Sequence, residues 1–131
     1  EPTCPLRHPE DVTACLRRLA EGDVDSVATF TDAELNPHRA WRIEEGSPSP
    51  FVEGAVPWRP RQELPEAYQL NGGAYVFFAD RLPDDSVAPL FGRAGAVYMP
   101  AERSVDIDTE IDLRLANLLV EEEGIEAGPD E

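Results

Sequence analysis

The stretch PEDVTACLRRLAEGDVDSVATFT, residues 9–31, decides the fold. Pro9 suits the first position of a helix and Gly22 ends one, so the sequence predicts a helix over residues 9–21. Apolar side chains recur on it at helical spacing, at Val12, Cys15, Leu16 and Leu19. The β-branched run that follows, residues 25–31, predicts a strand. A helix that leads directly into a strand predicts the α/β class.

Two more strands and a second helix are predicted downstream. AYVFFA, residues 74–79, predicts a buried strand, and residues 95–99 are another strand candidate. The NGG that precedes the first of them is typical of a turn. A helix is predicted to begin near Thr109, with Asp112 three residues later in the position of a capping box. Apolar side chains of this helix are expected to form a buried stripe, at Ile111, Leu115, Leu118 and Leu119.

The middle of the chain, about residues 36–70, is rich in proline and has little regular structure beyond a short strand predicted at AWRIEE. A long excursion of this kind in a compact domain is a lid, an arm that reaches a partner, or a disordered loop. Trp41, Phe51 and Trp58 give it apolar mass that something must cover. The sequence therefore favours an ordered arm that is partly buried against a second copy of the chain.

The charge of the chain limits its partners. Its 131 residues contain 27 Asp plus Glu and 11 basic residues, for a net charge of -16. Nucleic acids and anionic membranes both need a basic surface, so the sequence predicts neither as a partner. No apolar run approaches the ~20 residues that a membrane-spanning helix needs.

All the basic residues are arginine, and an acidic chain without lysine is typical of proteins adapted to high salt. The alternative is an ordinary acidic protein from a genome that favours arginine. Under the salt-adapted interpretation, we expect the melting temperature to fall when salt is lowered from molar to millimolar concentration. Cys4 and Cys15 are too few for a disulfide framework, which predicts reduced thiols and a cytoplasmic location.

The sharpest local feature is Asp106-Ile107-Asp108. On a strand, residues two apart project to the same side, so both carboxylates would point one way while Ile107 faces the core. Two carboxylates at a strand end, ahead of a helix, supply the hard oxygen ligands that Mg²⁺ prefers. The spacing leaves open the alternative of a solvated strand end.

Arg61 and Gln62 lie in the proline-rich segment. Arginine can bind a carboxylate or a phosphate through two parallel hydrogen bonds, and glutamine adds a neutral donor and acceptor. The alternative is a surface arginine on a loop. The sequence has no Ser/His/Asp order, no HExxH, no CxxC and no GxxxxGKS/T, and the lack of lysine excludes a phosphate-binding lysine in this chain.

Four segments together carry a resemblance to a known family: PTCPLRHPEDV, DSVATFT, RQELPEAYQLNGGAYVF and MPAERSVDIDTEIDLRLA, in this order. The chain resembles the N-acylneuraminate cytidylyltransferases (CMP-sialic acid synthetases), whose typical strings are similar to QPTSPLR, RQDLPxxYxxNGAIY and SxDIDTExDL. The resemblance covers nearly the whole chain, from residue 1 to about 119. Four motifs at compatible spacing are far more specific than any one of them.

The resemblance implies an enzyme that activates a nine-carbon 2-keto sugar acid with CTP, giving a CMP-sugar and pyrophosphate. It implies a homodimer with a Rossmann-like nucleotide-diphospho-sugar transferase layer and a proline-rich dimerisation arm. By their matches to the family pattern, Asp106 and Asp108 are expected to be catalytic and to hold Mg²⁺ on the nucleotide phosphates. Arg61 and Gln62 are expected to help form the sugar pocket. Asn71 matches an asparagine of the arm-to-core turn and is expected to bind substrate.

The chain also departs from the family pattern. Glu1 stands where the family has a glutamine in the sugar pocket, and a carboxylate there would repel an acidic sugar. Cys4 replaces a serine, and Gly73 replaces an alanine. The family's N-terminal glycine- and lysine-rich triphosphate loop has no counterpart here. We therefore interpret residues 1–120 as the C-terminal portion of a cytidylyltransferase domain, N-terminally incomplete, and residues 121–131 as an acidic tail.

A chain without the triphosphate loop is expected not to make a CMP-sugar at a normal rate on its own. Two alternatives stay open at this point. One is a non-enzymatic remnant that keeps the arm and binds a partner chain. The other is a cytidylyltransferase for a related acid sugar, such as a legionaminic, pseudaminic or deoxyoctulosonic acid.

Overall fold

The computed structural model describes residues 2–123, which form two compact units. The first unit contains the chain up to Thr31 and from Leu70 onward, and the second is Asp32–Gln69. In chain order the helices and strands are α1 (Pro9–Ala20), β1 (Ser26–Asp32), β2 (Trp41–Glu44), β3 (Ser47–Pro50), β4 (Tyr68–Phe77), β5 (Ala94–Tyr98) and α2 (Glu110–Glu123). The predicted α/β class is confirmed. Neither helix within residues 2–123 is long and apolar enough to cross a membrane.

The first unit contains a three-stranded sheet in the order β4-β1-β5. β1 and β5 are parallel, and Val27 lies opposite Gly95 in their register. α1 packs against β5. A Cβ at Gly95 would lie 3.2 Å from side-chain atoms of Arg18 and Val27, so a residue without a side chain allows this close approach. The core consists of Cys15, Leu19, Val24 and Val27, with Ala74, Val76 and Val97 packed against it.

The structure confirms most of what the sequence predicts for α1. It begins at Pro9, and Glu21 caps its C-terminal end. Cys15 and Leu19 are buried as expected, whereas Leu16 is exposed. The backbone N–H of His8 donates a hydrogen bond to Asp11 Oδ2 over 2.8 Å, which satisfies a donor at the helix start.

The predicted buried stripe of α2 is wrong for three of its four residues. Ile111, Leu115 and Leu118 are 77%, 46% and 57% exposed, and Leu119 is half-buried. Among residues 110–122 only Ala116 is buried, so the leucine face is not covered by the described part of the chain. The predicted start is confirmed: Thr109 and Asp112 side chains exchange hydrogen bonds with each other's backbone N–H groups.

Two local predictions are wrong. Asp106-Ile107-Asp108 is not on a strand, since residues 104–107 have no regular structure and Ile107 N makes one hydrogen bond, 2.8 Å long, to Thr3 O. Aspartate is poorly suited to strands, and a 3₁₀ turn at Ala101–Arg103 separates this segment from β5. The NGG sequence lies inside β4 rather than in a turn, where Gly72 adopts a φ of 69°.

The second unit contains an antiparallel hairpin of β2 and β3, which confirms the predicted short strand. Its two-residue turn, Glu45 and Gly46, has φ values of 50° and 81°, as a type I′ turn requires. The Trp41 and Trp58 rings contact each other in a tilted arrangement, with centroids 5.7 Å apart, and Trp58 is 81% exposed. The predicted dimerisation through this arm stays a prediction. Glu121–Glu123 of the predicted acidic tail belong to α2, and residues 124–131 and Glu1 lie outside the described residues.

Candidate functional site

Asp106 and Asp108 occupy different environments just before α2. Asp106 is half-buried, and its Oδ1 atom is buried without a hydrogen-bond partner among residues 2–123. Asp108 is exposed, and its backbone N–H donates to Asp112 Oδ2 over 3.2 Å. Burying a carboxylate oxygen without a partner costs free energy, and a cation at this oxygen would remove that cost.

The loop that carries Asp106 is anchored on its N-terminal side by an ion pair. The Arg103 guanidinium donates to both carboxylate oxygens of Asp11 in α1, over 2.7 and 3.2 Å. The buried Cys4 thiol donates to Arg103 O over 3.6 Å. On the far side of Asp106, the bond from Ile107 N to Thr3 O holds the loop again. The carboxylate is therefore carried by a short segment with both ends fixed.

The Asp11–Arg103 pair makes stability depend on pH. Burial raises the pKa of the Asp11 carboxyl, but hydrogen bonds from Arg103 and the His8 backbone, with the Arg103 charge, outweigh burial and lower it. A carboxyl with a lowered folded-state pKa stabilises the fold above its unfolded-state pKa and loses this contribution as pH falls through the folded-state value.

We therefore expect Arg103→Gln to lower the free energy of unfolding by about 3 kcal/mol at pH 7, because Asp11 is left buried and charged without its partner. The difference in free energy of unfolding between variant and wild type should become smaller as pH falls below about 3.9, the pKa of aspartate in an unfolded chain. Urea denaturation at a series of pH values measures it. A difference in free energy of unfolding that stays constant down to pH 2 would contradict the stabilising role of the Asp11–Arg103 pair.

Asn71 is the centre of a second set of anchors. It is 2% exposed. Its Oδ1 accepts from the Thr29 hydroxyl over 2.7 Å and from Gly73 N over 3.1 Å. Its Nδ2 donates to Ser104 Oγ over 2.9 Å and to Met99 Sδ over 3.4 Å. This buried network joins β1 and β4 to the segment that leads to Asp106.

The hydroxyls of Thr29 and Thr31 in β1 allow a comparison that measures how much this network contributes to the free energy of unfolding. Thr29 Oγ1 bonds to Asn71 and accepts from Ala74 N over 2.9 Å, whereas Thr31 Oγ1 is buried with no partner within residues 2–123. We expect Thr29→Val to lower the free energy of unfolding by about 1–3 kcal/mol and Thr31→Val to leave it unchanged or raise it. Denaturant titration of both variants decides this, and equal losses would contradict it.

Neither cysteine is suited to act as a nucleophile. Both are free and buried. Burial raises the pKa of the Cys4 thiol, and Asp106 raises it further against the lowering effect of Arg7. Burial raises the pKa of Cys15 to about 11. A thiol that stays protonated at neutral pH is unreactive.

Arg61 and Gln62 belong to the second unit, where they begin a 3₁₀ turn and are exposed. They line an open cavity of about 430 Å³. Arg39 lines the same cavity and donates a hydrogen bond to Arg59 O over 3.1 Å. The cavity also carries three carboxylates, at Asp32, Glu34 and Glu66. A cavity with both arginines and carboxylates can bind a ligand that carries a carboxylate and several hydroxyl groups.

The structure divides the sequence-predicted residues between the units. Asn71, Asp106 and Asp108 lie in the first unit, and Arg61 and Gln62 lie in the second. Sequence reasoning missed Asp11, Arg103, Thr29, Ser104 and Arg39. No signal in the sequence distinguishes Thr29, since β1 also contains Ser26 and Thr31. Nothing in the sequence indicates the contacts of Asp11 with Arg103, which lie 92 residues apart.

No group of three His, Cys, Asp or Glu side chains within residues 2–123 is placed to hold a metal ion. Mg²⁺ usually keeps several waters and is bound by one or two carboxylates together with substrate phosphates. Asp106, whose Oδ1 atom has no partner within that range, and Asp108 are the residues that would hold it.

Comparison with known protein families finds no match for this chain. Among curated proteins, the chain is similar to a Post-translational flagellin modification protein B of Campylobacter coli. The two are 27% identical over 128 residues, which is 95% of this chain and 52% of the relative. The chain therefore spans about half the length of the curated relative it matches.

Proposed function

We propose that these residues form part of a cytidylyltransferase that activates an acidic nine-carbon 2-keto sugar with CTP. The observation that carries the proposal is the unpartnered buried oxygen of Asp106, on a loop fixed at both ends and followed by Asp108 at the start of a helix. We take the modification in the name of the flagellin relative to be the attachment of a sugar, which requires an activated sugar donor.

The proposed reaction is a displacement at phosphorus. The anomeric hydroxyl oxygen of the sugar attacks the α-phosphorus of CTP, and a new P–O bond forms as the bond from the α-phosphorus to the bridging oxygen of the β-phosphate breaks. Pyrophosphate leaves, and the hydroxyl proton passes to solvent. The barrier is lowered mainly by positioning and by stabilising negative charge on the phosphates.

In this proposal Asp106 and Asp108 would hold the Mg²⁺ that neutralises charge on the nucleotide phosphates. Both lie near the positive end of α2, which favours negative charge at that place. Arg61 would bind the sugar carboxylate, and Gln62 would bind neighbouring hydroxyls, in the cavity of the second unit.

The rest of the proposal concerns fold and assembly. A Rossmann-like layer is supported by the parallel β1–β5 pair with α1 packed against it. A homodimer formed through the second unit is supported by the exposed aromatic side chains of Trp58 and Phe51. The same exposed side chains favour the second candidate, a non-enzymatic remnant that binds a partner chain.

The test is a pyrophosphate-release assay on the complete gene product that contains these residues, with CTP, Mg²⁺ and a panel of sugar acids. We expect release with one acid of the panel, and the preferred acid distinguishes a sialic from a legionaminic, pseudaminic or deoxyoctulosonic substrate. If no acid supports release and light scattering shows a stable dimer, the non-enzymatic candidate replaces the enzyme.

A further inference from the structure

We infer that Asn71 is a positioning residue, which acts through Ser104 to hold the Asp106 loop in place and does not bind substrate itself. The inference deepens the proposed function and rests on it, because it assigns Asn71 a role in the proposed metal site. A positioning role and a substrate contact have different consequences. If Asn71 positions the loop, disturbing the network weakens cation binding more than it weakens binding of the sugar acid.

The first step is that the Asn71 side chain has no hydrogen-bonding capacity left for a ligand. A side-chain amide has two acceptor positions and two donor hydrogens. Thr29 and Gly73 fill both acceptor positions, and Ser104 and Met99 take both donor hydrogens. A substrate could reach this amide only by breaking one of these bonds in a site that is 2% exposed.

The second step is that Ser104 connects the Asn71 network to the loop that carries Asp106. Ser104 Oγ accepts from Asn71 and donates to Pro100 O over 2.7 Å, so it is fixed on both sides. Asp106 is two residues further along the chain. The hydrogen bond between Ile107 N and Thr3 O fixes the loop on the other side of Asp106. Loss of the Ser104 bond removes the side-chain anchor nearest to Asp106 on its N-terminal side and leaves the Arg103–Asp11 pair, one residue further away.

The third step is that the network is closely packed and cannot easily rearrange. A Cβ at Gly73 would lie 2.7 Å from Met99 Sδ, 2.8 Å from Thr29 Oγ1 and 3.2 Å from Asn71 Oδ1. These distances leave no space for a methyl group among the atoms that hold Asn71. Glycine at this position therefore allows the amide to sit where it reaches Ser104.

The size of the effect follows from what outer hydrogen bonds do at metal sites. Groups that orient a ligating carboxylate, without touching the metal, change metal affinity by about 10- to 100-fold when they are removed. We expect Ser104→Ala to weaken Mn²⁺ binding, used as a probe for Mg²⁺, by at least about 10-fold. Thr29→Val should weaken it in the same direction, since Thr29 holds the other side of the amide.

The experiment is a Mn²⁺ titration followed by electron paramagnetic resonance on the wild-type chain, Ser104→Ala, Thr29→Val and the control Thr31→Val. The control removes a buried hydroxyl from the same strand that has no partner in the described chain. Weaker binding in Ser104→Ala and Thr29→Val, with binding unchanged in Thr31→Val, supports the inference. Equal Mn²⁺ affinity in Ser104→Ala and wild type overturns it.

Hydrogen exchange keeps the inference separate from the proposed function. If the wild-type chain binds no Mn²⁺, the proposed metal site fails, and the exchange rate of the Ile107 amide then decides the positioning claim. Faster exchange at Ile107 in Ser104→Ala than in Thr31→Val shows that Ser104 holds the loop, and equal rates overturn the inference. In the active protein, a rise in KM for the sugar acid with unchanged metal dependence in Ser104→Ala also overturns it.

Discussion

Replacing Asp106 by asparagine should lower the rate of nucleotidyl transfer at least about 10²-fold, the scale seen when one electrostatic contributor to a transition state is removed. Asparagine keeps the size of the side chain but removes the charge that would bind Mg²⁺. The measurement is the initial rate of pyrophosphate release at increasing Mg²⁺. We expect a higher Mg²⁺ requirement together with the lower rate, and the same direction for Asp108→Asn.

Asp106→Asn should lower the rate without lowering the stability of the metal-free protein. Asp106 Oδ1 is buried without a partner in the described chain, so removing its charge should leave the metal-free melting temperature unchanged or raise it. Glu110→Gln is the matched control, because Glu110 is exposed and bonds to Arg114 over 2.6 Å within α2. Loss of activity in Glu110→Gln, with normal Mg²⁺ dependence in both asparagine variants, would contradict the metal assignment.

Replacing Arg61 by alanine should raise KM for the sugar acid by about 10- to 100-fold, the equivalent of one or two hydrogen bonds to a charged group. KM for CTP should stay within about two-fold, because the expected partner of Arg61 is the sugar carboxylate. Steady-state kinetics with each substrate varied in turn measures both values. Arg61→Lys should recover only part of the loss, since lysine cannot make two parallel hydrogen bonds.

Arg59→Ala is the control for this prediction. Arg59 is an exposed arginine of the same segment, and it lines a different cavity of the second unit. A loss in Arg59→Ala equal to that in Arg61→Ala would show that the segment needs its positive charge and has no specific contact. An increase in KM for CTP alone would assign Arg61 to the nucleotide and contradict the proposed sugar contact.

The sequence predicts those helices and strands that are indicated by residues close to one another in the chain. Proline at the helix start, Cys15 and Leu19 on the buried face of α1 and the β-branched run of β1 agree with the structure, as does the pair of Thr109 and Asp112 at the start of α2. Each depends on residues within a few positions of one another. The α/β class follows from these elements alone.

Features that depend on distant contacts could not be predicted. Asp106 and Asp108 were placed on a strand because their alternation matches a strand period, but strand formation also needs a neighbouring strand, and Thr3 offers the loop a single bond. The stripe of α2 has the period of a buried helix, and burial requires an element that packs on it. The bond between Asn71 and Ser104 joins residues 33 apart, which no local pattern reports.

Binding of a divalent cation by the two aspartates can be measured directly as paramagnetic broadening of the backbone amide signals of this chain by substoichiometric Mn²⁺. We expect the amides of residues 104–110 to broaden first, excess Mg²⁺ to restore them, and Asp106→Asn combined with Asp108→Asn to remove the effect. Broadening spread evenly over the acidic surface, or unchanged in the double variant, would contradict it.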